Sequence, residues 1–184
     1  ISLNKLYEFH GATMSRQTRS ALVGASAEET MVTVYTELGL DHDPAAIAGS
    51  IQWLHDHTAD LFDGGLPWCP GAREMLEALV SEDVPMALVT NTQRELAERA
   101  LNSIGRHYFT VTVCGDEVPS GKPAPDPYLR AAELLGLEPG DCLAIEDSVT
   151  GSTAAERAGC AVLVVPNDVP VPGSERRRHA ESLA

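Results

Sequence analysis

Residues 142–146 read Cys142-Leu-Ala-Ile-Glu146, an apolar run too short for a helix that ends on a carboxylate. Three other runs have the same form: Met86-Ala-Leu-Val-Thr90, Val111-Thr-Val-Cys114 and Ala161-Val-Leu-Val-Val165. Short, nearly continuous apolar runs mark strands buried on both faces, and such strands belong to parallel sheets. Amphipathic segments lie between them, over Arg94–Ile104, 127–135 and 150–158. A further helix starts near Pro70 and carries Met75, Leu76, Leu79 and Val80 at helical spacing, because proline suits a first helical turn. Strands alternating with helices predict an α/β fold: one open parallel sheet with right-handed crossovers.

Upstream of Pro67 the period is helical and no strand is expected. Leu3, Leu6, Tyr7 and His10 share one face, and Gly11 is a stop. Ser26 with Glu29 reads as a capping box, the hydroxyl and the carboxylate each taking a free N–H. Met31, Val34, Tyr35 and Leu38 follow, and Gly39 ends the run. Pro44 opens another helix with Ile47, Ile51, Leu54, Thr58 and Leu61 inward. The expected organisation is a helical cap over residues 1–65 and an α/β core over residues 66–184. Residues 166–172 read as a proline-rich loop and residues 175–184 as a charged, peripheral tail.

The chain has 184 residues, 43% of them hydrophobic. A chain of this size buries roughly 70% of the surface that its unfolded form exposes, so its core needs no staples. With 13 Lys+Arg against 27 Asp+Glu, the net charge is -14. Such a field repels nucleic acid and anionic membranes, so neither is an expected partner. No stretch is long and apolar enough to span a bilayer, and residues 1–10 lack the form of a signal peptide. Cys69, Cys114, Cys142 and Cys160 form no CxxC pair. They are expected to be free thiols rather than zinc ligands or disulfides, which suits a cytoplasmic location.

Ligands of open α/β sheets bind beyond the carboxyl ends of the strands. There the sequence places Thr90-Asn91, Glu146-Asp147-Ser148 and, in a loop after the second run, Gly121-Lys122-Pro123. A hydroxyl, an amide, an ammonium and two carboxylates at one edge suit a phosphoryl group. Thr90 and Asn91 can donate to its oxygens, Lys122 can neutralise them, and Glu146 and Asp147 can hold a hard cation such as magnesium. Each side chain also has a structural use: Thr90 or the carboxylates as helix caps, Asn91 in a turn, Lys122 as a solvated loop residue. Lys122 carries extra weight because Lys5 is the only other lysine. The ordered set is more specific than its members.

Leu88-Val-Thr-Asn91, Gly121-Lys-Pro-Ala-Pro-Asp-Pro-Tyr128 and Ala144-Ile-Glu-Asp-Ser-Val-Thr-Gly151 resemble the haloacid dehalogenase (HAD) superfamily, as do Ala154-Ala155 and Ala158-Gly159. Within it they resemble the branch containing phosphoglycolate phosphatase and β-phosphoglucomutase. The resemblance implies a Rossmann-like core with an α-helical cap. It also implies a magnesium-dependent phosphatase that acts on a small phosphorylated metabolite, of sugar phosphate or phosphoglycolate type, through an aspartyl-phosphate. Thr90 and Lys122 would be catalytic, and both would bind substrate with Asn91. Asp147 and Glu146 would hold the metal, Asp147 more directly. The stretch Leu22-Val-Gly-Ala-Ser-Ala-Glu-Glu29 resembles the loop that reads the leaving group, which brings in Gly24 and Ser26. Val23 and Ala27 are neutral where the mutases tend to be basic, which favours a phosphatase. His10, His55 and His57 read as surface or helix-face residues.

One family motif is missing. The family begins with a strand ending in Asp-x-Asp, whose first aspartate is the nucleophile, and Asp41-His-Asp43 follows no such strand. In the family that strand lies between those ending here at Thr90 and Glu146. The expectation is therefore a piece of a longer protein, with a phosphomutase and a non-catalytic phosphate-binding remnant as the alternatives.

Overall fold

The computed structural model describes residues 2–22, 25–165 and 169–184. Four helices come first: α1 (Ser2–Phe9), α2 (Arg16–Leu22), α3 (Ala27–Leu38) and α4 (Pro44–Asp63). The Ser26 hydroxyl accepts from Glu29 N at 3.2 Å and the Glu29 carboxylate from Ser26 N at 3.0 Å, the reciprocal cap expected for α3. Gly39 ends α3 in the left-handed region at φ 65. Asp43 caps α4 through Ala46 N at 2.9 Å. Leu6, Tyr7, Leu22, Met31, Val34 and Tyr35 form one buried cluster, with Met31 and Val34 fully enclosed. Helix α2 was not expected from the sequence. Its polar run is anchored at its start by Ser15 Oγ on Thr18 N at 3.0 Å and to α3 by Thr18 Oγ1 on Glu37 at 2.7 Å.

Then follow α5 (Ala72–Ser81), β1 (Ala87–Val89), α6 (Arg94–Ile104), β2 (Val111–Val113), α7 (Asp126–Leu135), β3 (Leu143–Glu146), α8 (Val149–Ala158), β4 (Ala161–Val164) and β5 (Arg177–His179). All strand pairs are parallel, with Leu88 opposite Thr112 and Ile145 opposite Leu163. The architecture is the expected α/β core with parallel strands, preceded by helices.

Two details depart from expectation. The strands form two sheets, β1-β2 and β3-β4-β5, rather than one, because among the described residues nothing pairs the facing edges of β1 and β3. The halves still share a core: Val89 packs against the cluster of Tyr128, Ala144, Ala154, Ala155, Val162 and Val164. Within the second sheet β3 is covered on one face only. Ala144 is 7% exposed, whereas Leu143 is 61% exposed. The charged tail is not wholly peripheral either. Arg177 in β5 pairs with Glu156 at 2.7 Å, with its side chain only 8% exposed, and Val164 registers with His179. Among the described residues no helix is long and apolar enough to cross a membrane.

Candidate active site

The carboxyl ends of β1 and β3 meet residues of the N-terminal helices, the cap of the sequence expectation, across a cavity of about 690 Å³. Thr90, Asn91, Lys122, Glu146, Asp147 and Ser26 all border it. Gly24, the other expected contact, lies outside the described residues. Thus residues from β1, the loop before α7, β3 and the cap converge on one space, although 56 positions separate Thr90 from Glu146.

Lys122 is the centre of the arrangement. Its ammonium donates to Val89 O at 2.9 Å and to Glu146 Oε1 at 2.5 Å, so one side chain joins the ends of the two sheets. The lysine and glutamate side chains are 11% and 6% exposed. An ammonium has three N–H groups, so one remains beyond these two partners, on a residue that borders the cavity. The Lys122 backbone is held as well. Asn91 Oδ1 accepts from Lys122 N at 2.7 Å, and Asn91 Nδ2 donates to Lys122 O at 3.0 Å. The Asn91 carboxamide therefore clamps the lysine loop. Gly121 permits this, because a Cβ there would sit 2.8 Å from Asn91 Oδ1.

Glu146 is fixed from several sides. Its Oε1 accepts from the Tyr128 hydroxyl as well as from Lys122, and its Oε2 accepts from Ser148 Oγ at 3.2 Å. Ser148 is also the N-cap of α8, accepting from Gly151 N at 3.1 Å. The carboxylate lies against Gly151 where any side chain would collide with it. Burial, and then the neighbouring Glu146, push the Tyr128 phenol well above its usual range, so it stays protonated and donates. Asp147, by contrast, is exposed and borders the cavity. Thr90 Oγ1 accepts from Thr92 N at 3.1 Å, and a hydroxyl that accepts still has its proton to give. The Ser26 hydroxyl reaches the cavity wall while serving as the α3 cap.

Several residues in or beside this space were given no site role by the sequence. Arg19 from α2 and His55 from α4 line the cap wall. His55 is therefore not merely a surface histidine, while His57 hydrogen-bonds Ser2 at 3.1 Å and stacks on Trp53. Asp116 borders the cavity and caps α6 through Arg94 N at 2.9 Å. Tyr128 ends the Gly121–Tyr128 motif, so the motif itself was its signal. For Arg19 no signal existed, since α2 itself was not anticipated, whereas His55 lies on the anticipated α4 and its place at the cavity depends on packing. Among the described residues there is no cluster of three or more metal-ligating side chains.

A parallel α/β core whose strand ends carry a lysine, a threonine hydroxyl and two carboxylates, faced by a helical layer, is an arrangement for handling a phosphoryl group. The chain belongs to the haloacid dehalogenase-like hydrolases, whose family profile matches residues 12–159. It is 32% identical over 154 residues to a phosphoglycolate phosphatase of Thiobacillus denitrificans, covering 83% of this chain and 68% of that protein. It is 42% identical over 100 residues to a bifunctional riboflavin kinase/FMN phosphatase of Arabidopsis thaliana, covering 53% of this chain but only 26% of that protein. In three dimensions it resembles CbbY from Rhodobacter sphaeroides, solved in complex with phosphate, with a TM-score of 0.82 at 23% identity. That match covers 99% of this chain and 85% of CbbY.

Proposed function

We propose that the protein to which this chain belongs is a magnesium-dependent phosphatase of small phosphorylated metabolites, of the sugar phosphate or phosphoglycolate type. The observation that carries the reading is Lys122: a nearly buried ammonium, bonded to Val89 O and Glu146, on a residue that lines the same cavity as Thr90 and Asp147. Phosphoryl transfer needs little covalent chemistry from the enzyme beyond its nucleophile; it needs positioning and charge. Lys122 and the Thr90 hydroxyl bind the equatorial oxygens, and Asn91 keeps the lysine loop in register. The cap wall, with Ser26, Arg19 and His55, faces the leaving group and excludes water.

Asp147 and Glu146 offer only oxygen donors, the choice of a hard cation. Asp147 fits as a direct ligand because it opens on the cavity, whereas Glu146, tied to Lys122 and Tyr128, fits behind it. Magnesium keeps several waters and takes one or two carboxylates together with phosphate oxygens, so the absence of a larger cluster is compatible with it. When bound, it would supply charge stabilisation to the phosphoryl oxygens.

The nucleophile is an aspartate from another segment of the longer protein. The edges of β1 and β3, unpaired among the described residues, support a further strand in that position. Its carboxylate attacks phosphorus in line and displaces the ester oxygen, and water then hydrolyses the acyl phosphate. The test is release of inorganic phosphate by the full-length protein from phosphoglycolate and a panel of sugar phosphates. Release that stops on adding a chelator and returns with magnesium is expected. No release from any compound, together with interconversion of hexose phosphates, would point to a mutase instead.

A further inference from the structure

We propose that Tyr128 is a positioning residue for Lys122, acting through the oxygen of Glu146 that the two side chains share; the proposal rests on the phosphatase reading above. Three observations converge on it. The Tyr128 hydroxyl donates to Glu146 Oε1, the same oxygen that accepts from Lys122 Nζ. The Tyr128 ring also passes close to the ammonium, with Lys122 Nζ 5.2 Å from its centroid, within the range of a favourable cation–ring contact. And Ser148 holds the other oxygen, Oε2, at 3.2 Å.

The consequence is geometric. A carboxylate anchored at one oxygen can rotate about its side-chain bonds; one anchored at both cannot. With Ser148 on Oε2 and Tyr128 on Oε1, the acceptor of Lys122 is fixed, and Val89 O fixes a second N–H of the ammonium. With two of its N–H groups held, the ammonium of this cavity-lining residue has a fixed position. Tyr128 is itself buried, at 9% exposed, in α7. It acts on the reaction without touching the substrate. A phenylalanine would keep the ring against the ammonium and the packing against the cluster of Ala144, Val162 and Val164. What it would lose is the one anchor on Oε1 that is independent of Lys122.

The experiment is a double-mutant cycle on the full-length protein, with Tyr128→Phe, Lys122→Ala and the pair, read as kcat, KM and melting temperature. Removing a hydrogen bond to a charged group should lower kcat roughly tenfold, with KM little changed. On the Lys122→Ala background, Tyr128→Phe should cost no further activity, because the group it positions is gone. Calorimetric titration with inorganic phosphate adds a readout independent of turnover. Tyr128→Phe should weaken phosphate binding in the presence of Lys122 and leave it unchanged in its absence. If Lys122→Ala turns over normally, the phosphatase reading fails. If Lys122→Ala is crippled but Tyr128→Phe matches the native enzyme, the reading stands and the positioning role is overturned. An equal loss from Tyr128→Phe on both backgrounds would also overturn it, since a purely structural contribution adds.

Discussion

The molecule contains the same polar motif twice, once in the cap and once at the strand ends. In the cap, the Tyr7 and Thr18 hydroxyls both donate to Glu37. In the core, the Tyr128 and Ser148 hydroxyls both donate to Glu146. The chemistry differs in two respects only. Glu37 is exposed and bonded by hydroxyls, with no ion pair among the described residues, whereas Glu146 is 8% exposed and pairs with Lys122. A carboxylate held in water by hydroxyls fastens helices: here Glu37 of α3 is tied to Tyr7 of α1 and Thr18 of α2. A carboxylate held out of water must have its charge answered. The ammonium that answers it is thereby fixed in place beside a cavity. Burial and one lysine separate a structural clasp from a candidate catalytic one.

The largest expected effect tests that lysine. Lys122→Ala should lower turnover of the full-length enzyme about a hundredfold or more, of the order found on losing one preorganised charge donor. Lys122→Arg should not restore it, because a planar fork does not replace a compact ammonium between Val89 O and Glu146. Lys122→Ala should also lower stability. Leaving Glu146 buried without its cation should cost on the order of 3 kcal/mol, seen in a denaturant melt of the same variant. Near-normal turnover would make the core cluster another clasp and erase the contrast.

The smallest effect concerns the cap cluster. Hydrogen bonds from Tyr7, and then from Thr18, hold the Glu37 carboxyl below its usual range. A depressed folded value gives stability that is complete above the unfolded value, about 4.3 for glutamate, and that drains away as pH falls through the folded one. Tyr7→Phe should therefore lower the melting temperature by about 2 °C near neutrality, and this difference should shrink below roughly pH 4. Turnover should be unaffected. Melting curves of both proteins across pH 3–8 check this; a constant gap down to pH 3 would remove Glu37 as the partner that matters.

Much of this could be read from the chain because the site residues sit at element ends that the apolar pattern marks. Thr90 follows β1 and Glu146 ends β3, so once the strands are assigned their shared edge is given. The capping box at Ser26 and the stop at Gly39 are local chemistry and were equally legible. What escaped reading is what depends on long-range pairing. The break between β1-β2 and β3-β4-β5 leaves no trace in either run, because a strand's composition does not say which neighbour it has; only the strand missing from the family pattern pointed to it. β5 was hidden because Arg177 is charged; its burial depends on Glu156, 21 positions away. Arg19 and His55 reach the cavity only through the packing of α2 and α4, which their periodicity does not encode. Tyr128 lay in plain view inside a recognised motif, but its role needs Glu146 beside it, and that contact is tertiary.

The central claim is that Thr90 and Lys122 cradle a phosphoryl group at the ends of β1 and β3. The most direct measurement is a crystal structure of the full-length protein grown with magnesium and inorganic phosphate. The account predicts phosphate in the cavity within hydrogen-bond distance of both the Thr90 hydroxyl and Lys122 Nζ, with Lys122 still donating to Glu146 and Val89 O. Phosphate bound elsewhere with this cavity empty, or held there without a contact to Lys122, would contradict it.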